Sequence, residues 1–212
     1  MREQAAASPV TQKRAWKEIV CAKIRGQAQV LSELFGNADP LPNLVKEVKS
    51  GDPANVEAKA ARFYWQKLFG NLEFSRDPEN GDRINSALNY GYAVLRGITA
   101  RAVCAAGLNP ALGIFHHNKY DFYCLADDLM EPFRPVVDRS VYRLMEENAL
   151  SAELTSEIKR RLITEIDQRF IVNGMQETIF ETASRLAVSL VEVFGGRRTE
   201  LTLPERLPQE KR

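Results

Sequence analysis

The reading of this chain turns on residues 85–106, NSALNYGYAVLRGITARAVCAA, a long apolar run seeded with small residues. Ala87, Gly91, Ala93, Gly97, Ala100 and Ala102 let neighbouring backbones approach closely, so the run is expected to be a helix at the centre of the fold, ended by Gly107 as a left-handed cap. Outward from it the period stays helical. Ala15, Ile19, Ala22, Val30, Leu31 and Leu34 keep an i, i+3, i+4 rhythm that predicts a helix over 9–35, opened by Pro9 and closed by Gly36-Asn37. A short helix is expected over 41–48. After the turn Ser50-Gly51-Asp52-Pro53, another carries Val56, Ala60, Ala61, Tyr64, Trp65 and Leu68 on one face.

Residues 70–80 read as loop, and 109–135 break the pattern with Pro110, Gly113, a His-His pair and two further prolines. A helix is expected over 138–148. Two strongly amphipathic ones follow, the first through Leu154, Ile158, Leu162, Ile166 and Phe170, the second through Met175, Ile179, Leu186, Leu190 and Phe194. The fold class is all-α with little room for a sheet. Residues 1–196 form the helical domain, and Gly195-Gly196 hands over to a polar tail, 197–212.

The chain's 212 residues, 44% of them hydrophobic, can bury a full core. Lys+Arg 29 against Asp+Glu 28 excludes both a nucleic-acid coat working by bulk charge and an acidic disordered chain, but not local basic faces. No apolar run is long enough to cross a membrane, and the start MREQAAASPVTQKR does not read as a signal peptide. Cys21, Cys104 and Cys124 read as reduced core cysteines of a cytoplasmic protein.

Chemistry concentrates in GIFHHNKYDFYCLADDLMEPFRP, residues 113–135, which holds both histidines of the chain, His116 and His117. Downstream, Asp128 and Glu131 stand at i, i+3 and Asp127 and Glu131 at i, i+4, like charges that repel unless solvent screens them or a cation sits between. A solvated acidic face and a metal site both fit that spacing. Glu57, on the small-residue side of its helix, needs a partner as well, either a salt bridge to Arg62 or Arg96 or a metal. One imidazole with two carboxylates suits Mg²⁺ or Mn²⁺ better than zinc, and Arg134 at i+3 from Glu131 could offset phosphate charge.

The runs LGIFHHN (112–118), LADDLMEPFRP (125–135), INSALNYGYAVL (84–95) and EAKAARFY (57–64) closely resemble the CRISPR-associated Cas1 integrase-endonuclease family. WKEIVCAKI (16–24) resembles its type II branch, and the matches follow the family's order from about 13 to 195. The resemblance implies a metal held by Glu57, His116 and Glu131, with Arg134 as the basic residue beside the site and Asp128 orienting it. Asn89, Tyr90 and His117 are then near the pocket. It also implies DNA integration, in which a captured 3′-OH attacks a phosphodiester at a repeat border, or nuclease cleavage by water at the same site. The implied partners are double-stranded or branched DNA, a second copy of the chain, the Cas2 protein and the type II effector nuclease. Lys59, Arg62, Lys159, Arg160, Arg161 and Arg197-Arg198 are candidate phosphate grips, each of which could equally be a solvated surface charge.

Nothing in the sequence resembles the family's N-terminal β domain, so the expectation is the helical catalytic domain without it. A non-catalytic DNA-binding or assembly remnant is the alternative reading. An unrelated helical metal-dependent phosphoesterase is less well supported, because there is no glycine-rich phosphate loop.

Overall fold

The computed structural model describes residues 2–70, 74–77, 79, 81–151 and 153–208. The expected 70–80 loop lies partly outside these. A short helix, α1 (Arg2–Ala6), leads into α2 (Pro9–Phe35). The Ser8 hydroxyl accepts from Thr11 N–H at the start of α2, and Gly36 ends it at φ +72°, a conformation few other residues adopt without strain. Then come α3 (Leu41–Glu47), α4 (Val56–Phe69) and α5 (Arg83–Ala105). The first turn of α5 is held by the Asp82 carboxylate, which accepts from the N–H groups of Ile84 and Asn85.

The all-α expectation holds, and α5 takes the central position predicted for it. It packs against α6 (Cys124–Met130), α7 (Arg134–Glu146), α8 (Ser156–Ile166) and α9 (Ile179–Phe194). Gly91 shows why its face is small, since a Cβ there would stand 2.3 Å from Val137 Cγ1 on α7. A long second face of the core is α2, whose buried Ile19, Val20, Ile24, Val30 and Leu31 meet α3, α4 and α7.

Four expectations need correction. Phe170 and Met175 are not helical; they open a two-stranded antiparallel hairpin, β1 (Phe170–Val172) and β2 (Met175–Glu177). Asn173 and Gly174, at φ +49° and +73°, form the two-residue loop that such a hairpin favours. The irregular 109–135 segment contains α6 and a 3₁₀ turn, Glu131–Phe133, and α7 starts at Arg134 rather than Asp138. Pro132 and Pro135 sit in first-turn positions, where a missing N–H breaks no bond, so they start helices here. Cys104 lies on the surface, whereas Cys21 and Cys124 are buried.

The segment after Gly196 is polar by count, yet residues 197–208 lie against the body. Leu201 and Leu207 are buried, Arg206 bridges to Ile171 of β1, and the Pro208 carbonyl accepts from the buried Arg139 at 2.8 Å. No helix among the described residues is long and apolar enough to cross a membrane.

Candidate functional site

The loop before α6 is folded around one carboxylate. Asp128, fully buried on α6, accepts from the backbone N–H groups of Ile114 (2.5 Å), Phe115 (3.0 Å) and His116 (3.2 Å). It also meets His116 Nδ1 at 2.6 Å. A carboxylate only accepts, so Nδ1 carries the proton and Nε2 is the nitrogen left for a ligand. That bond to Asp128 raises the His116 pKa above its ordinary value, against the opposing effect of burial. Gly113 makes the turn possible, because a Cβ there would lie 2.1 Å from the His116 carbonyl oxygen. From α2, the Trp16 ring stacks on Phe115 with centroids 4.3 Å apart. From α1, Gln4 Nε2 donates to the Asn109 and Leu112 carbonyls (both 2.9 Å), and its Oε1 accepts from Asn109 N–H (2.8 Å).

Glu57 and Glu131 meet through a lysine. Asp52 seats the first turn of α4 by accepting from the N–H groups of Val56 and Glu57, both at 2.9 Å. Lys23 Nζ, reaching from α2, then stands 2.6 Å from Glu57 Oε1 and 2.5 Å from Glu131 Oε2. Arg134 Nε lies 2.8 Å from the other Glu131 oxygen. Burial alone would push the Glu131 carboxyl up, but Arg134 and Lys23 outweigh it and hold it below the usual range. Burial would likewise depress the Lys23 ammonium, which the two carboxylates keep above its ordinary value. The partner of Glu57 is therefore neither Arg62 nor Arg96; Arg96 pairs with Asp127 and, at 2.7 Å, with Asp121. A lysine inside the apolar stripe of α2 was the only sequence signal of this arrangement.

Beside these groups runs a cleft of about 510 Å³, lined among others by Arg76, Asn89, Arg96, His116, His117 and Arg134. Arg76 donates to Asn85 Oδ1 and Asn89 Oδ1, both at 2.7 Å. The guanidinium groups of Arg134 and Arg76 lie 4.5 and 5.3 Å from the centre of the Tyr92 ring. The Tyr92 hydroxyl donates to Asp138, a buried residue of α7 whose carboxyl is pushed up to about 7 by burial, with Tyr92, Tyr64 and Arg134 only partly offsetting it.

The other expected DNA grips stand apart from this cleft. Lys59 and Arg62 are carried on α4, both exposed. Lys159 lies 5.7 Å over the ring of Tyr90, which faces α8 rather than the cleft. Arg160 is tied to Glu157, Arg161 to Glu147, Arg197 to Glu3 and Arg198 to Glu192.

The donor chemistry of Glu57, His116 and Glu131 fits a hard divalent ion, with a His–carboxylate pair fixing the ring. As placed, the cation between the two carboxylates is the Lys23 ammonium, and among the described residues no three His, Cys, Asp or Glu side chains stand close enough to hold a metal.

A family model described as CRISPR associated protein Cas1 matches residues 1–172. A curated relative from Neisseria meningitidis, named CRISPR-associated endonuclease Cas1, is 40% identical over 92% of this chain and 64% of its own length. Another from Pyrobaculum aerophilum is 32% identical over 74% of the chain and 58% of its own length. The chain thus spans under two thirds of either relative. Among solved structures, a casposase bound to integration product superposes over the whole chain and 69% of that one (TM-score 0.80, 20% identity). A Cas1 protein from Thermotoga maritima covers 92% of the chain and 70% of its own (TM-score 0.74, 16% identity). A chain of a Cas6-RT-Cas1–Cas2 complex covers 95% and 25% (TM-score 0.75, 20% identity).

Proposed function

The chain belongs to the CRISPR-associated Cas1 family, and on that premise we propose that it is the catalytic domain of a metal-dependent DNA endonuclease and integrase of spacer acquisition. One observation carries this reading. A histidine fixed through Nδ1 faces a cleft lined by three arginines, and one of these, Arg134, is bonded to a carboxylate of the Glu57–Glu131 pair.

Glu57, His116 and Glu131 would hold Mg²⁺ or Mn²⁺, which supplies Lewis acidity toward a phosphoryl oxygen and an attacking hydroxyl. Asp128 keeps the His116 ring in one tautomer and the 113–116 turn in one shape. Arg76, Arg96 and Arg134 bring positive charge to a cleft where a phosphodiester would gather negative charge in the transition state. In strand transfer, a captured DNA 3′-OH forms a new P–O bond at the repeat border as the existing ester bond breaks and frees another 3′-OH; water in its place gives a nick. The named content of the casposase and Cas1–Cas2 structures supports DNA and Cas2 as partners. A second copy of the chain and the type II effector nuclease complete the proposed assembly.

The alternative is a DNA-binding or assembly protein that keeps the fold without catalysis, and the ammonium seated between the two carboxylates favours it. Branched DNA incubated with the purified chain decides between them. The integrase reading expects cleavage or joining that needs Mn²⁺ or Mg²⁺ and is lost in Glu57→Ala and His116→Ala. A DNA mobility shift with no metal-dependent chemistry supports the remnant, and cleavage that survives both substitutions sinks the site assignment.

A further inference from the structure

Lys23 sits in the apolar stripe of α2 between Val20 and Ile24, with only 13% of its side chain exposed. A lysine stem can usually carry its charge out to water. This one instead brings its ammonium onto two carboxylates from different elements, Glu57 at the start of α4 and Glu131 in the 3₁₀ turn. Together with Arg134 on the other Glu131 oxygen, the chain thereby balances its own carboxylate pair.

The two oxygens that share Nζ are each within 2.6 Å of it. Mg²⁺ takes oxygen ligands at about 2.0–2.1 Å, so the gap that fits an ammonium closes on a small divalent ion but cannot hold both. On its other side Lys23 borders a cavity of about 220 Å³ that is also lined by Gln27 and by Asp138, a carboxyl 1% exposed.

Resting on the metal reading above, we propose that Lys23 is a displaceable counter-cation: a divalent ion enters between Glu57 and Glu131 by expelling its ammonium, which Asp138 receives across the adjoining cavity. Such a device spares the empty site a carboxylate pair balanced by Arg134 alone, and it sets metal affinity below what the carboxylates would give without the ammonium.

The test is calorimetric titration of the chelator-stripped chain with Mn²⁺ at one pH. Lys23→Gln and Lys23→Met are expected to bind about tenfold more tightly or better, the cost of expelling the ammonium being gone. Asp138→Asn is expected to bind more weakly than wild type, and that loss should vanish in the Lys23→Gln background. Equal or weaker binding by the Lys23 variants overturns displacement. An Asp138→Asn loss that is the same in both backgrounds overturns its receiving role.

The wild-type protein supplies a reading that does not depend on whether the Lys23 variants fold. Its Lys23 ammonium resonance in heteronuclear NMR should move on saturation with Mg²⁺, and a stationary resonance overturns the proposal. Binding abolished by His116→Ala, together with an unmoved resonance, sinks this inference alone. No Mn²⁺ binding by wild type or any variant sinks the metal reading and this one with it.

Discussion

His116 Nδ1 lies 2.6 Å from Asp128 Oδ1, and the same carboxylate collects the backbone N–H groups of residues 114, 115 and 116. Ring and loop are thus held by a single buried anion. Asp128→Ala leaves four donors to be resatisfied and should cost about 2–4 kcal/mol in urea unfolding. In chelated Asp128→Asn, the His116 pKa read by NMR should fall, because the bond that raises it is weakened while burial, which lowers it, remains. The sign follows by linkage: the raised folded-state pKa stabilises the protein below the unfolded value, and that contribution disappears as pH climbs through the folded value.

Gly113 completes the same turn from the other side. A methyl group there meets the His116 carbonyl at 2.1 Å and Asp128 Oδ2 at 3.0 Å, both held atoms that cannot swing away. Gly113→Ala should therefore unfold the turn rather than strain it. It should lower stability by about 1–3 kcal/mol and release the slow exchange of the 114–116 amides. An unchanged exchange pattern would refute the packing argument.

The glycine-to-histidine spacing was legible because it is local, and the long helices were legible because their period is sustained. Pro9 and Gly36 bracket α2 as expected, through an N-terminal proline and a left-handed cap. The hairpin was not legible, although Asn173-Gly174 is a strong turn signal. Its three-residue strands are too short to show a period of two, and the apolar rhythm of the flanking helices ran straight through Phe170 and Met175. Lys23 was hidden for a different reason. Its partners lie on α4 and in the 3₁₀ turn, and only the packing of those elements on α2 turns a lone lysine in an apolar stripe into the centre of a carboxylate pair.

Gln4 offers a test of support from outside the loop. Its amide makes three hydrogen bonds to the backbone of residues 109 and 112, and it is 4% exposed. Gln4→Ala should cost about 1–3 kcal/mol, since it leaves buried backbone groups without partners. The loss should appear as faster hydrogen exchange at Asn109, with the α8 amides unaffected. Equal exchange at both places would show that α1 does not brace this loop.

Asp138 predicts how stability depends on pH. Its folded-state pKa is raised from 3.8 to about 7, chiefly by burial, so the folded chain holds a proton that the unfolded chain gives up. Stability from this group is full below pH 3.8 and is lost as pH rises toward 7, by about 1.4 kcal/mol for each pH unit climbed between those two values. Asp138→Asn keeps the shape and a hydrogen-bond acceptor for the Tyr92 hydroxyl but cannot ionise. Its stability relative to wild type should therefore improve by a few kcal/mol between about pH 4.5 and about pH 8 in urea titrations. A wild-type-minus-variant difference that stays flat across that range would mean that the carboxyl is already ionised in the folded protein at low pH. Arg134 and Lys23, which both favour the carboxylate, would then outweigh its burial.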